Sequence, residues 1–223
     1  MMRKTIIDTD PGHDDVMAIM LAVRSAMFDI QDITTVCGNS TIENTTRNVR
    51  YVLNLLDKND IPVFSGAKKP LKRRLVQAVV HGKSGLDGIE PTNKPMLTGN
   101  AVEKILSIVK TNPNKVTIVT LGPLTNIAMA ILKDPKVMMN VKEIVIMGGA
   151  VKVPGNKNRV AEFNIFVDPE AADTVFSFPI SKTLVPLDAC NHVKLSLQDF
   201  KAIKNSKLRA VLLKMVKPYI NNI

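Results

Sequence analysis

The chain has 223 residues, is 45% hydrophobic and carries a formal charge of +10. A mean hydropathy of +0.09 and this apolar content exclude a disordered chain, and no apolar run approaches the ~18 residues of a membrane span. Two cysteines, Cys37 and Cys190, are too few for a disulfide framework, and Met1-Met2-Arg3-Lys4 lacks the apolar core of a signal peptide, so the expectation is a cytoplasmic protein with reduced thiols.

In chain order, short apolar runs at 4–7, 33–37, 62–64, 116–121, 144–147 and 183–187 read as strands. Helical patterns at 13–23, 41–56, 101–109, 124–132 and 170–176 lie between them. Caps support several helix starts. Asp168-Pro169-Glu170 offers an N-cap acid with proline at the first helical position. Gly122-Pro123-Leu124-Thr125-Asn126 opens a helix after a strand, with Asn126 read as a capping residue, and Asp134-Pro135 ends it. His13 is assigned to the turn after the first strand. Strand–helix alternation with fully apolar strands predicts an α/β fold: a mainly parallel, Rossmann-like open sheet with helices on both faces. One domain spanning 1–223 is expected. The aperiodic stretch 65–99 reads as a long loop able to fold over a site.

Charge is unevenly spread. Residues 1–66 hold 6 Lys/Arg and 9 Asp/Glu, a net of −3, so the remainder carries +13. The excess lies in Lys68-Lys69-Pro70-Leu71-Lys72-Arg73-Arg74 and in the Lys-rich tail at 194–217. No aromatic residues alternate with these charges as base-stacking platforms would, so they read as solvated surface and not as a nucleic-acid interface.

The first strand runs into Asp8-Thr9-Asp10-Pro11-Gly12-His13-Asp14-Asp15, with four carboxylates in eight residues. Two like charges at ~4 Å repel by about 1 kcal/mol in water and about 4 kcal/mol at an effective dielectric of 20. Helix capping explains one such acid, not four. In open α/β sheets, ligands bind at the carboxyl ends of the strands. There the sequence places the acidic turn, Cys37-Gly38-Asn39, Leu121-Gly122-Pro123 and Met147-Gly148-Gly149-Ala150, followed by a polar insertion carrying Gly155-Asn156 and Glu162-Phe163-Asn164. Oxygen donors without Cys or paired His suit a hard cation such as calcium or magnesium. Asp10 and Asp15 are spaced so that a turn can aim both inward, and a carbonyl just before Gly122 adds a third donor. Asn39, Asn156, Asn164 and Glu162 suit a polyhydroxylated ligand. Together these features point to metal-assisted hydrolysis of a glycosyl bond.

The acidic segment resembles the signature of the inosine–uridine-preferring nucleoside hydrolase family. Further matches follow in order: Gly38-Asn39, His81-Gly82-Lys83-Ser84-Gly85-Leu86-Asp87-Gly88, Gly122-Pro123-Leu124-Thr125-Asn126, Met147-Gly148-Gly149-Ala150, and Ala161-Glu162-Phe163-Asn164-Ile165 with Asp168-Pro169-Glu170-Ala171-Ala172. The resemblance implies calcium-dependent hydrolysis of the N-glycosidic bond of a ribonucleoside to free base and ribose, in purine or pyrimidine nucleoside catabolism. It implies that Asp10 binds Ca2+ and takes a proton from the attacking water, and that Asp15 and the Leu121 carbonyl are further metal ligands. Asp14 and Asn39 then hold ribose hydroxyls or the water. Met147, Asn156, Glu162 and Asn164 grip the rest of the ribose, and His81 lies beside the leaving base. A homo-oligomer is also implied.

The family carries a further His-Asp pair in a C-terminal portion, and no such pair follows Glu170 here. The reading is therefore of a C-terminally incomplete nucleoside hydrolase-like domain with weak or absent activity. The alternative is a truncated or degenerate relative that binds nucleoside or ribose without turnover. A phosphatase of the haloacid dehalogenase type also begins with a strand and Asp-x-Asp, but Pro11, Gly12 and the extra acids Asp14 and Asp15 do not fit its pattern.

Overall fold

The computed structural model describes residues 2–78, 80–89, 91 and 97–220. The expected loop at 65–99 and the tail at 219–223 fall partly outside these residues. β1 (Arg3–Thr9) feeds α1 (His13–Arg24), and β2 (Phe28–Thr35) feeds α2 (Ile42–Leu55). β3 (Val63–Ser65) connects to α3 (Ala101–Thr111) through a segment whose described residues form neither helix nor strand. β4 (Val116–Thr120) leads to α4 (Thr125–Lys133) and the single turn α5 (Pro135–Met138). β5 (Glu143–Met147) leads to α6 (Phe163–Val167) and α7 (Pro169–Ser177). β6 (Lys182–Val185) is followed by α8 (Leu187–Cys190), α9 (Leu197–Lys201) and α10 (Ser206–Ile220).

The strands pair in parallel in the order β3-β2-β1-β4-β5-β6. This is the expected α/β architecture. The chain winds one way from β1 to β3 and the other way from β4 to β6. The crevice between β1 and β4 is therefore the topological switch point, where the connections part and leave room for a ligand.

Alternation along β1 supplies both cores. Ile6 joins Ile118 and Ile144 on the face covered by α3, α4 and α7. Ile7 joins Ile33 and Val63 on the face covered by α1 and α2. Leu212, Met215 and Val216 of α10 are buried in that second core. The Lys-rich tail is thus not wholly solvated surface: its apolar stripe packs, and its lysines take the outer face. Thr5 pairs with Ile30 but Ile6 with Asp32, so β2 carries one extra residue at Gln31. The bulge sets Asp32 in line with Ile6 and Asp8.

Candidate active site

Asp10 follows the last residue of β1 and is fully buried. Its Oδ2 accepts the Asn39 backbone N–H at 2.6 Å, and its carbonyl accepts Asn39 Nδ2–H at 3.2 Å. Two glycines make room for it. A Cβ on Gly38 would lie 2.1 Å from Asp10 Oδ2, and one on Gly122 would lie 2.5 Å from Asp10 Oδ1. Asp10 Oδ1 has no hydrogen-bond partner among the described residues.

Asp15 sits in the first turn of α1 and closes the helix start. Its Oδ2 accepts the Gly12 N–H at 2.9 Å, and its Oδ1 accepts Thr9 Oγ1–H at 3.0 Å. Asn39 Nδ2 also reaches Asp15 Oδ2 at 3.4 Å, so one amide spans both acids. Burial, then the neighbouring charges of Asp15 and Asp14, raise Asp10 well above the usual carboxylate range. Burial and Asp14 push Asp15 up to about 8. An orphaned buried oxygen beside a second buried carboxylate is the electrostatic condition that a cation relieves. Among the described residues no three His, Cys, Asp or Glu side chains form a metal cluster. The donors that fit a cation are two carboxylates and a carbonyl, with room left for water or sugar hydroxyls.

That carbonyl belongs to Leu121, just past β4. It accepts Asn164 Nδ2–H at 2.8 Å, and the same amide contacts the Met147 carbonyl at 3.3 Å and its Sδ at 3.4 Å. Asn164 thereby ties β4 to β5 at the crevice. Glu162, expected in a polar insertion, is instead the N-cap of the short helix α6. Its carboxylate accepts N–H groups from Asn164, Gly149 and Ile165 at 2.9, 2.9 and 3.3 Å. Burial raises its pKa against these donors. Asn156 is exposed and accepts the Phe163 N–H at 2.8 Å.

These groups surround a cavity of about 480 Å³. Asp14, Asp15, Asn39, His81, Leu121, Met147, Asn156, Glu162 and Asn164 line it, and Asp10 lies directly behind Asn39. Every residue expected at the site is brought to one place. The loop after β3 does fold over it, contributing Ala78, Val80 and His81. Ala78, Val80, Lys157 and Phe163 are lining residues that the sequence reading missed. Lys157 adjoins Asn156, which is the only signal it carried, and Ala78 and Val80 carried none.

Two neighbouring residues differ from expectation. Asn126 does not cap α4, whose N-cap is Leu124. It is buried, donates to Asp8 Oδ1 at 2.7 Å and to the Thr35 carbonyl at 2.9 Å, and accepts the Ala67 N–H at 2.9 Å. Asp8 faces this amide and Thr34, not the cavity, and burial raises its pKa to about 7. Asp168 does cap its helix, α7, as the sequence indicated, and also accepts Thr125 Oγ1–H at 2.7 Å.

Residues 5–222 match the family model described as inosine-uridine preferring nucleoside hydrolase. The chain is 45% identical over 212 residues to the pyrimidine-specific ribonucleoside hydrolase RihA of Escherichia coli O1:K1 / APEC, covering 92% of this chain and 68% of that one. A plant nucleoside hydrolase structure, the PpNRh1 enzyme, superposes with TM-score 0.91 at 36% identity over 98% of this chain and 71% of its own. A purine-preferring ribonucleoside hydrolase from Gardnerella vaginalis superposes with TM-score 0.92 at 31% identity, covering 98% and 72%.

Proposed function

The chain belongs to the inosine-uridine preferring nucleoside hydrolase family, and from that premise we propose that it cleaves the N-glycosidic bond of ribonucleosides in a calcium-dependent reaction. The observation that carries the metal reading is Asp10 Oδ1, buried and unpartnered next to Asp15 at the mouth of the switch-point crevice.

Asp10, Asp15 and the Leu121 carbonyl would hold the ion. When bound, it would supply positive charge that favours a water-derived nucleophile and attracts the ribose hydroxyls. Asp10 accepts the proton of the attacking water, whose oxygen bonds to C1′ while the base departs with the bonding pair. Asn39, whose backbone and side chain both engage Asp10, holds that carboxylate in place. Asp14 and Asn39 bind ribose hydroxyls. Met147, Asn156, Glu162 and Asn164 form the far wall of the sugar site. His81 stands beside the leaving base. On this reading the groups stand ready before substrate arrives, and such preorganisation makes electrostatic stabilisation of the transition state effective.

The relatives' names cover pyrimidine and purine preferences, so the substrate class is the ribonucleoside. Family resemblance extends the reading to a cytoplasmic homo-oligomer. Among the described residues no helix is long and apolar enough to cross a membrane. The test is ribose release from inosine and from uridine by the purified chain, with added calcium and with chelator. Weak calcium-dependent release is expected, since no C-terminal His-Asp pair follows Glu170. Binding of ribose with no release under either condition would assign a binding relative instead.

A further inference from the structure

We infer that His13 is a positioning residue for His81: its ring accepts the His81 Nδ1–H and leaves Nε2 as the His81 nitrogen that serves the cavity. This rests on the reading that His81 stands beside the leaving base.

The two Nδ1 atoms are 3.0 Å apart, and the rings stack at 5.3 Å between centroids with planes 28° apart. His13 Nε2 lies 2.9 Å from the Asp87 carbonyl oxygen. A carbonyl only accepts, so the His13 proton is on Nε2. A neutral His13 then offers a lone pair at Nδ1, and the proton between the rings belongs to His81. The opposite polarity would need protons on both His13 nitrogens, one facing the Asp87 carbonyl and one facing His81. The His13 backbone N–H reaches His81 Nδ1 only at 3.5 Å, the outer limit of a hydrogen bond. Burial and the His13 ring hold the His81 pKa below the usual imidazole value, against the pull of Asp14 and Asp87.

The backbone is shaped around this pair. A Cβ on Gly12 would lie 2.8 Å from His81 Cε1 and Nε2, so glycine admits the ring. Gly82 has φ +71°, and a Cβ there would lie 1.7 Å from Asp87 Oδ1. That turn brings the Asp87 N–H to the His81 carbonyl at 3.1 Å, which fixes the Asp87 carbonyl relative to His81. His81 Nε2 is 3.9 Å from Asp14 Oδ1 at the cavity wall. With Nδ1–H committed to His13, any proton that His81 exchanges moves through Nε2. Partners of this kind set the tautomer and orientation of functional imidazoles.

The chain has three histidines, so long-range 15N–1H correlation on histidine-labelled protein at pH 7.5 resolves each ring. His81→Gln assigns its signals by loss. His81 protonated on Nδ1 alone, with His13 protonated on Nε2, is the expected result. Protonation of His81 on Nε2, alone or together with Nδ1, overturns the proposal. Kinetics supply the second arm. His13→Phe should lower kcat about 10–100-fold with little change in KM. His13→Asn, which keeps an acceptor near the Nδ1 position, should recover most of the loss. Equal losses in both variants overturn the positioning role. If the wild-type chain releases no ribose, the proposed function fails while the nuclear resonance result still decides the histidine pairing.

Discussion

The Asp10 carboxylate occupies the space where a side chain on Gly38 would begin, 2.1 Å from that residue's ideal Cβ position. Gly38 and Gly122 are therefore part of the acid's binding frame. Gly38→Ala must displace Asp10, and a shift of about 1 Å in a catalytic group costs about 10²-fold. Ribose release should fall by at least that factor while circular dichroism stays native. Unchanged kcat in a folded Gly38→Ala protein would show that Asp10 is not the group that matters.

Asn126 joins β1, β2 and the segment after β3 through one buried amide. Asn126→Ala strands the Ala67 N–H and removes one of two donors from the Thr35 carbonyl and from Asp8 Oδ1, which keep the Gly66 N–H and the Thr34 hydroxyl. At about 1–3 kcal/mol per unsatisfied group, the loss in urea unfolding should be about 1–3 kcal/mol. Asn126→Asp should be worse, because it sets a second carboxylate against Asp8.

Asp32 gives the fold a pH dependence of its own. It is buried, neither oxygen has a hydrogen-bond partner among the described residues, and burial raises its pKa to about 7 despite the attraction of Lys104. The folded state therefore binds this proton more tightly than the unfolded state. Stability from Asp32 is full below about pH 4 and is lost as pH rises through 7, a loss on the order of 4 kcal/mol. Asp32→Asn should flatten the change in urea midpoint between pH 5 and pH 8 and raise the midpoint at pH 8. A slope identical to wild type would mean that water or a cation already pairs the carboxylate.

Calcium should stabilise the chain by mass action. At 100 times the Kd the gain is about 2.7 kcal/mol, or roughly 5–10 °C in Tm for a domain of this size. Asp15→Asn should abolish that shift. Without calcium it should melt above wild type at pH 8, because one of two adjacent buried charges is gone. Scanning calorimetry with calcium and with chelator reads both effects.

Strands β1, β4, β5 and β6 were legible because they are short apolar runs, α2 because of its helical pattern, and α7 because Asp168 caps it. The start of β2 was not legible. Asp29, Gln31 and Asp32 interrupt its apolar pattern, Asp29 pairs with Lys4 at 3.3 Å, and the bulge breaks the alternation. α6 was hidden because its N-cap, Glu162, is not a usual capping type. The site's donors could be read from strand ends, since topology alone carries those ends to one edge. The His13–His81 pair, 68 residues apart, could not be read, because no periodicity encodes a contact between a turn and an aperiodic loop.

The sheet order also has a consequence during synthesis. β1 lies between β2 and β4, and Asn126 follows its contact Asp8 by 118 residues. At ribosomal speeds that separation is roughly 6–24 s, during which β1 is an open strand edge. Asp8 within β1 and Asp10 just past its end then put charge along that edge, discouraging pairing with a neighbouring nascent chain. Ribosome-bound chains halted before β4 should aggregate more when Asp8 and Asp10 are both changed to Asn, and equal aggregation would remove this role. Charges that the folded chain buries would, on this account, keep the growing polypeptide solitary.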